Sequence, residues 1–94
     1  MSEEKENLAL YDKLFVVHVL ELTQLAMMQL GKIANPMTQK IEKNLDAAKH
    51  CIDTLCMLRE KSKGNLSKEE EGFLNENIST LQMNYVDECK DSSK

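Results

Sequence analysis

The apolar residues of this chain fall into three blocks with helical spacing. In the first block, twelve of the seventeen residues from Leu14 to Leu30 are apolar, and the exceptions are His18, Glu21, Thr23, Gln24 and Gln29. His18, Glu21 and Gln24 lie three apart, so on a helix they form one narrow polar stripe on an otherwise apolar cylinder. Strict alternation is absent, which argues against a strand despite "FVVHV". The spacing predicts a helix over about 8–30, ended by Gly31 at the left-handed position after the last turn. "KIANPMTQ" then reads as a connection containing Pro36, the single proline.

The second block has Leu45, Ala48, Ile52, Leu55 and Leu58 at intervals of three and four, one buried helix face, with Asn44 as its N-cap. It predicts a helix over about 45–62. Leu74, Ile78, Leu81 and Tyr85 form the third stripe, predicting a helix over about 68–88. The polar ends, residues 1–6 and 90–94, are expected to be disordered. Gly72 falls inside the third helix, at a cost of about 1 kcal/mol relative to alanine.

Between the last two helices stands "KSKGNLSKEEEGF". A phosphate-binding loop needs a second glycine, a lysine directly before the serine and a preceding strand. Here there is one glycine in the corner, Ser67 precedes Lys68, and a helix comes first. The residues suit a helical corner instead. Gly64 stops one helix, and Ser67 with Glu70 forms a capping box that starts the next. So short a connection makes the two helices antiparallel neighbours.

Composition narrows the class. At 94 residues the chain has room for one domain, and it buries only roughly 60–65% of its unfolded surface. Two Phe, two Tyr and no Trp leave the core to aliphatic residues and Met, as suits helix on helix. The net charge of −4, with Arg59 the one arginine, argues against nucleic acid and against an anionic membrane surface. Cys51, Cys56 and Cys89 follow no disulfide or zinc spacing, and the polar "MSEEKEN" start is no secretory leader. A reduced, cytoplasmic location is expected.

Four separated motifs carry a family resemblance: "QLGKIANP" after the apolar helix, "IDTLCMLREK" within the second, the "KGNLS" corner before an acidic helix start, and "MNYV" near the end. In their order and spacing they resemble the small bacterial family called domain of unknown function 1844. The resemblance runs from Leu10 to Val86. Ser62 and Ser67 stand where that family commonly has threonine, and Cys56 where it commonly has an acidic residue. The resemblance implies an all-helical protein and brings no activity, cofactor or catalytic residue with it.

Candidate chemistry is sparse. His18 and Glu21 share a helix face, but di-iron bundles use Glu-x-x-His in two copies, and here the order is reversed and single. Asp46, His50 and Asp53 follow at i, i+4 and i+7, a pattern more common in solvated charged faces. Cys51 and Cys56 lie about 140° apart around a helix and read as small hydrophobes, with Cys89 the more exposed thiol. Met27, Met28, Met57 and Met83 are read as core filling, the alternative being an adaptable groove. With no nucleophile elbow, nucleotide loop or zinc spacing, no enzymatic activity and no cofactor are expected.

The first helix has more apolar surface than two partners can cover, and large exposed apolar patches mark interfaces. The expected architecture is therefore an all-α, three-helix antiparallel bundle completed by homo-oligomerisation, with Phe15, Val16, Val19, Leu20 and Met27 at the interface. A membrane span is disfavoured because His18, Glu21 and two glutamines interrupt the apolar run. The expected function is a self-associating structural or regulatory module. The alternatives are an adaptor that takes another protein's helix in an apolar groove, and a small metal-binding protein using His18, Glu21 or His50.

Overall fold

The computed structural model describes residues 2–92 and consists of three helices: α1 (Ser2–Gln29), α2 (Leu45–Lys61) and α3 (Lys68–Ser92). They pack on one another, and among the described residues no strand occurs beyond a single bridge between Leu30 and Lys43. α1 starts six residues before its expected start, and residues 2–6 and 90–92, expected to be disordered, are helical. Residues 1, 93 and 94 lie outside the described residues.

The core is where the three stripes meet. Val19, Ala26 and Leu30 come from α1 and its end, Ala48, Cys51, Ile52 and Leu55 from α2, and Leu74, Ile78 and Leu81 from α3. Each set recurs at three, four or seven residues, so each helix turns one face inward. Phe15, Leu22, Met27, Leu45, Leu58, Phe73 and Tyr85 close the edges of this core.

The helix ends are set by the residues that terminate them. Gly31 (φ 79°) donates to the Met28 carbonyl at 3.0 Å, and Lys32 donates to the Met27 carbonyl at 2.9 Å. That pair of bonds is a Schellman motif, and it needs the left-handed conformation that glycine adopts without strain. Asn44 caps α2 by accepting from the Ala47 N–H at 3.1 Å. At the corner, Gly64 has φ 85°. Ser67 Oγ accepts from the Glu70 N–H at 3.1 Å, while Glu70 Oε1 accepts from the Ser67 N–H at 2.9 Å, a reciprocal capping box. α2 and α3 then run antiparallel: Arg59 bonds Asn75 near the corner, and Cys56 meets Gln82 farther along.

The α1–α2 connection is long yet tied down. Asn44 N–H donates to the Gln29 carbonyl at 2.7 Å, Asn35 N–H donates to the Lys40 carbonyl at 2.9 Å, and Asn35 Oδ1 accepts from the Met37 N–H. Its outer bond comes from α3. Glu88, buried at 7% exposure, holds Lys32 and Lys43 at 3.4 Å each, one on each side of the connection.

The molecule is long, 57 × 28 × 17 Å. Helix α1, 28 residues or about 42 Å, is the cause. Asp12, Lys13, Val16 and Val17 stand level with Ser67 and Glu70 at the α2–α3 corner. The turns of α1 that precede Asp12 project beyond that corner.

Candidate interaction surface

Helix α1 has two apolar faces. Val19, Ala26 and Leu30 point inward and are fully buried. Leu10, Leu14 and Val17, spaced by four and three, lie on the opposite side and are 50%, 54% and 48% exposed. The next positions in the same four–three rhythm are the exposed polar Glu21 and Gln24 and the half-buried Met28, so the exposed apolar row on this face ends at Val17. Tyr11, Leu20 and Leu25 flank it and are all exposed. The polar stripe of His18, Glu21 and Gln24 is exposed along the same side.

This arrangement corrects the expected interface. Val19 faces the chain's own α2 and α3 with no exposed surface, so it is closed to a partner. Phe15 and Met27 are half-buried against the same core, and Val16 is half-buried. Of the five expected residues, Leu20 alone is exposed. The flank is bare as expected, but its centre lies about half a turn round the helix, at Leu10, Leu14 and Val17. The four–three spacing of those residues was the signal in the sequence. It was obscured because "LFVVHVL" is apolar on both sides, and which valine turns inward depends on where α2 sits.

An open groove of about 530 Å³ runs beside this face, between Lys13, Val16 and Val17 of α1 and Ser67 and Glu70 at the start of α3. Farther along, Leu25 and Met28 share a second depression with Ile33 and Pro36 of the connection. Met28 lines this one, Met83 lines another on α3, and Met27 packs against the core, so the four methionines do not line one groove.

The other candidate residues are dispersed. His18 and Glu21 lie on α1 and His50 on α2, and among the described residues no group of three or more His, Cys, Asp or Glu side chains could hold a metal ion. Asp53, expected near His50, pairs with Lys49 at 2.8 Å, and that bond raises the Lys49 ammonium above its ordinary value. Cys51 is buried and its thiol donates to Gln29 Oε1 at 3.1 Å; burial pushes that thiol up. Cys56 and Cys89 are half-buried. The hydrogen bond with Cys89, aided by burial, raises the Tyr85 hydroxyl above its ordinary value.

Sequence reasoning missed Glu88. It stands three residues after Tyr85 in the series Leu74, Ile78, Leu81, Tyr85, so it continues the buried stripe of α3. A carboxylate on a buried stripe must find partners or lose its charge. Burial works to raise the Glu88 carboxyl, but the hydrogen bonds and positive charges of Lys43 and Lys32 outweigh it and hold the group below the ordinary carboxylate value. Its place in that series was the readable signal, whereas lysine partners 45 and 56 positions away were not.

No helix among the described residues is long and apolar enough to cross a membrane. Neither the curated proteins nor the solved structures include a match to this chain. The family model described as domain of unknown function (DUF1844) matches residues 12–87, a span that takes in α2, both connections and most of α1 and α3, and the chain belongs to that family.

Proposed function

We propose that this protein is a self-associating helical module that works through the outward face of α1, in a structural or regulatory role in the cytoplasm and without catalytic activity. One observation carries the reading: Leu10, Leu14 and Val17 form a continuous exposed apolar row on a regular helix, with Leu20 exposed beside it. Isolated exposed apolar residues need no explanation, but a row in helical register is a surface that another helix can fill. The three cysteines are free thiols, which suits a reducing compartment. Light scattering on the purified protein at micromolar concentration is expected to give at least twice the 10.8 kDa chain mass. A clean monomer overturns the reading.

A second reading is favoured by the groove between α1 and α3, where Val16 and Val17 form an apolar floor beside Ser67 and Glu70. An amphipathic helix of another protein fits such a groove. In that case the purified protein is monomeric, and a stoichiometric partner is recovered with it from its own cell.

A further inference from the structure

We propose that the depression between the last turns of α1 and the connection that follows it binds a small amphipathic ammonium: an apolar ring or chain that carries one primary amine. This site lies past the end of the Leu10, Leu14 and Val17 row, and it goes beyond the self-association proposed above.

Three observations point to it. First, the depression is apolar and roomy. Its volume is about 490 Å³, with Leu25 and Met28 of α1 on one side and Ile33, Ala34 and Pro36 of the connection on the other. Small-molecule sites are mostly apolar with a few placed polar groups, and roughly 300–1,000 Å³ is their usual size. Leu25 and Ile33 are 39% and 42% exposed, so there is apolar surface for a ligand to cover. Second, the walls are fixed before any ligand arrives. The turn at Gly31 sets where the connection leaves α1, the Asn44 N–H donates to the Gln29 carbonyl at 2.7 Å, and Lys32 and Lys43 are held by Glu88 of α3. A segment already ordered loses little freedom on binding.

Third, the charge around the depression has one sign. Glu21 lines it, and Glu42 lines the adjoining depression that shares Leu25 and Met28. Among the described residues no lysine or arginine lines either. Two of the connection's lysines, Lys32 and Lys43, are committed to Glu88 instead. Glu42 accepts from the Thr38 hydroxyl at 2.9 Å, whereas Glu21 makes no hydrogen bond or ion pair among the described residues. Glu21 precedes Leu25 by four residues and Met28 by seven, so it shares their face of α1. An apolar group seated on Leu25 and Met28 therefore brings a cationic end to Glu21. An anionic ligand is repelled there, and a neutral one gains nothing from the carboxylate. Gln24, also at the rim, offers an amide oxygen as a second acceptor for the ammonium.

Phenethylamine, protonated at neutral pH, tests the site, with phenylpropanoate and phenylethanol as its anionic and neutral counterparts. The full chain, isotope-labelled at its amides and methionine methyls, is titrated at neutral pH and followed by NMR. Phenethylamine is expected to shift the Leu25, Ile33 and Ala34 amides and the Met28 methyl together, on a saturable curve with a Kd on the order of 1 mM, usual for so small a probe. Phenylpropanoate is expected to shift none of them. Glu21→Gln, at an exposed position, is expected to weaken phenethylamine about threefold to fivefold, the size of an exposed ion pair, and to leave phenylethanol unchanged. Equal shifts with the amine and the carboxylate, a response that does not saturate, or equal amine affinity in Glu21→Gln overturns the proposal. Shifts centred on the groove at Val16 and Val17 also overturn it. Light scattering on the same samples reads self-association separately. A failure here therefore leaves the proposed function standing, and a monomer that binds the amine as expected overturns that function and supports this site.

Discussion

Val17 and Val19 are two residues apart and chemically identical, yet one is exposed and the other buried, so the pair tests the proposed association separately from folding. Val17 is 48% exposed and Val19 is fully buried. Full burial of a valine stabilises by about 1.5–3 kcal/mol, so covering the exposed half of Val17 contributes about 1 kcal/mol per copy, and a symmetric pair counts it twice. Val17→Glu removes that contribution and sets two carboxylates into a dewatered seam, at a further cost of several kcal/mol. A total of at least about 4 kcal/mol weakens the proposed dimer about a thousandfold in Kd. Val19→Glu instead places an unpaired charge inside a core whose whole folding stability is on the order of 5–15 kcal/mol. Sedimentation velocity with far-UV circular dichroism reads both effects. Val17→Glu should be monomeric and keep most of the wild-type helicity, and Val19→Glu should lose helicity broadly or melt far lower. A Val17→Glu protein that stays dimeric, or that loses as much helicity as Val19→Glu, refutes the assignment of faces.

Three further outcomes follow from local geometry. Gly72→Ala should stabilise by about 0.5–1 kcal/mol and raise Tm by several degrees, because a Cβ at this exposed helical position meets nothing within 4 Å; an unchanged or lower Tm in a calorimetric scan refutes it. The Glu88 carboxyl is held below its ordinary value, so its contribution is present at neutral pH, above the unfolded-state value, and is lost as pH falls through its folded value. Urea melts from pH 7 to 3 should therefore show a smaller acid loss in Glu88→Gln than in the wild type, and equal losses would contradict the clamp. Cys51, buried with its thiol pushed up, should be the last of the three cysteines alkylated by iodoacetamide, as read by peptide mass spectrometry; labelling as fast as Cys56 would show that its site opens readily.

The three helices and their caps were legible because they rest on local rules. Asn44, Gly31, Gly64 and the Ser67–Glu70 pair each act within about four residues of themselves, and the spacing of Leu74, Ile78 and Leu81 needs no knowledge of the partner helix. What the sequence left undecided depends on long-range placement. Phe15, Val16, Val17 and Val19 are all apolar, so periodicity alone does not say which of them faces α2. The start of α1 was also hidden: "SEEKEN" lacks apolar periodicity, yet those residues continue a helix already established by Leu8 to Leu30. Glu88 could be suspected from its place on a buried stripe, but its partners Lys32 and Lys43 come together only when the connection folds back over α3.

The two ends of the bundle are finished differently, and this asymmetry bears on where the proposed partner would bind. At the connection end, the Schellman turn at Gly31, the Leu30–Lys43 bridge and the Glu88 clamp hold a stretch that would otherwise be a long loose loop. Among the described residues every buried side-chain nitrogen and oxygen has a hydrogen-bond partner. The packed unit around α2 and α3 therefore meets its own polar requirements without a second chain. At the opposite end α1 continues past the corner with apolar side chains on open surface. The proposed association there needs no rearrangement of the core and no breaking of the clamp, so it would add a helix to a face already formed. Folding and the proposed pairing are then separable steps. A single charge on the outward face should leave a folded monomer whose projecting N-terminal turns, deprived of their neighbour, fray, while Leu30, Leu55 and Leu81 remain enclosed. Amide hydrogen exchange on Val17→Glu would show that division as lost protection before Asp12 and retained protection through α2.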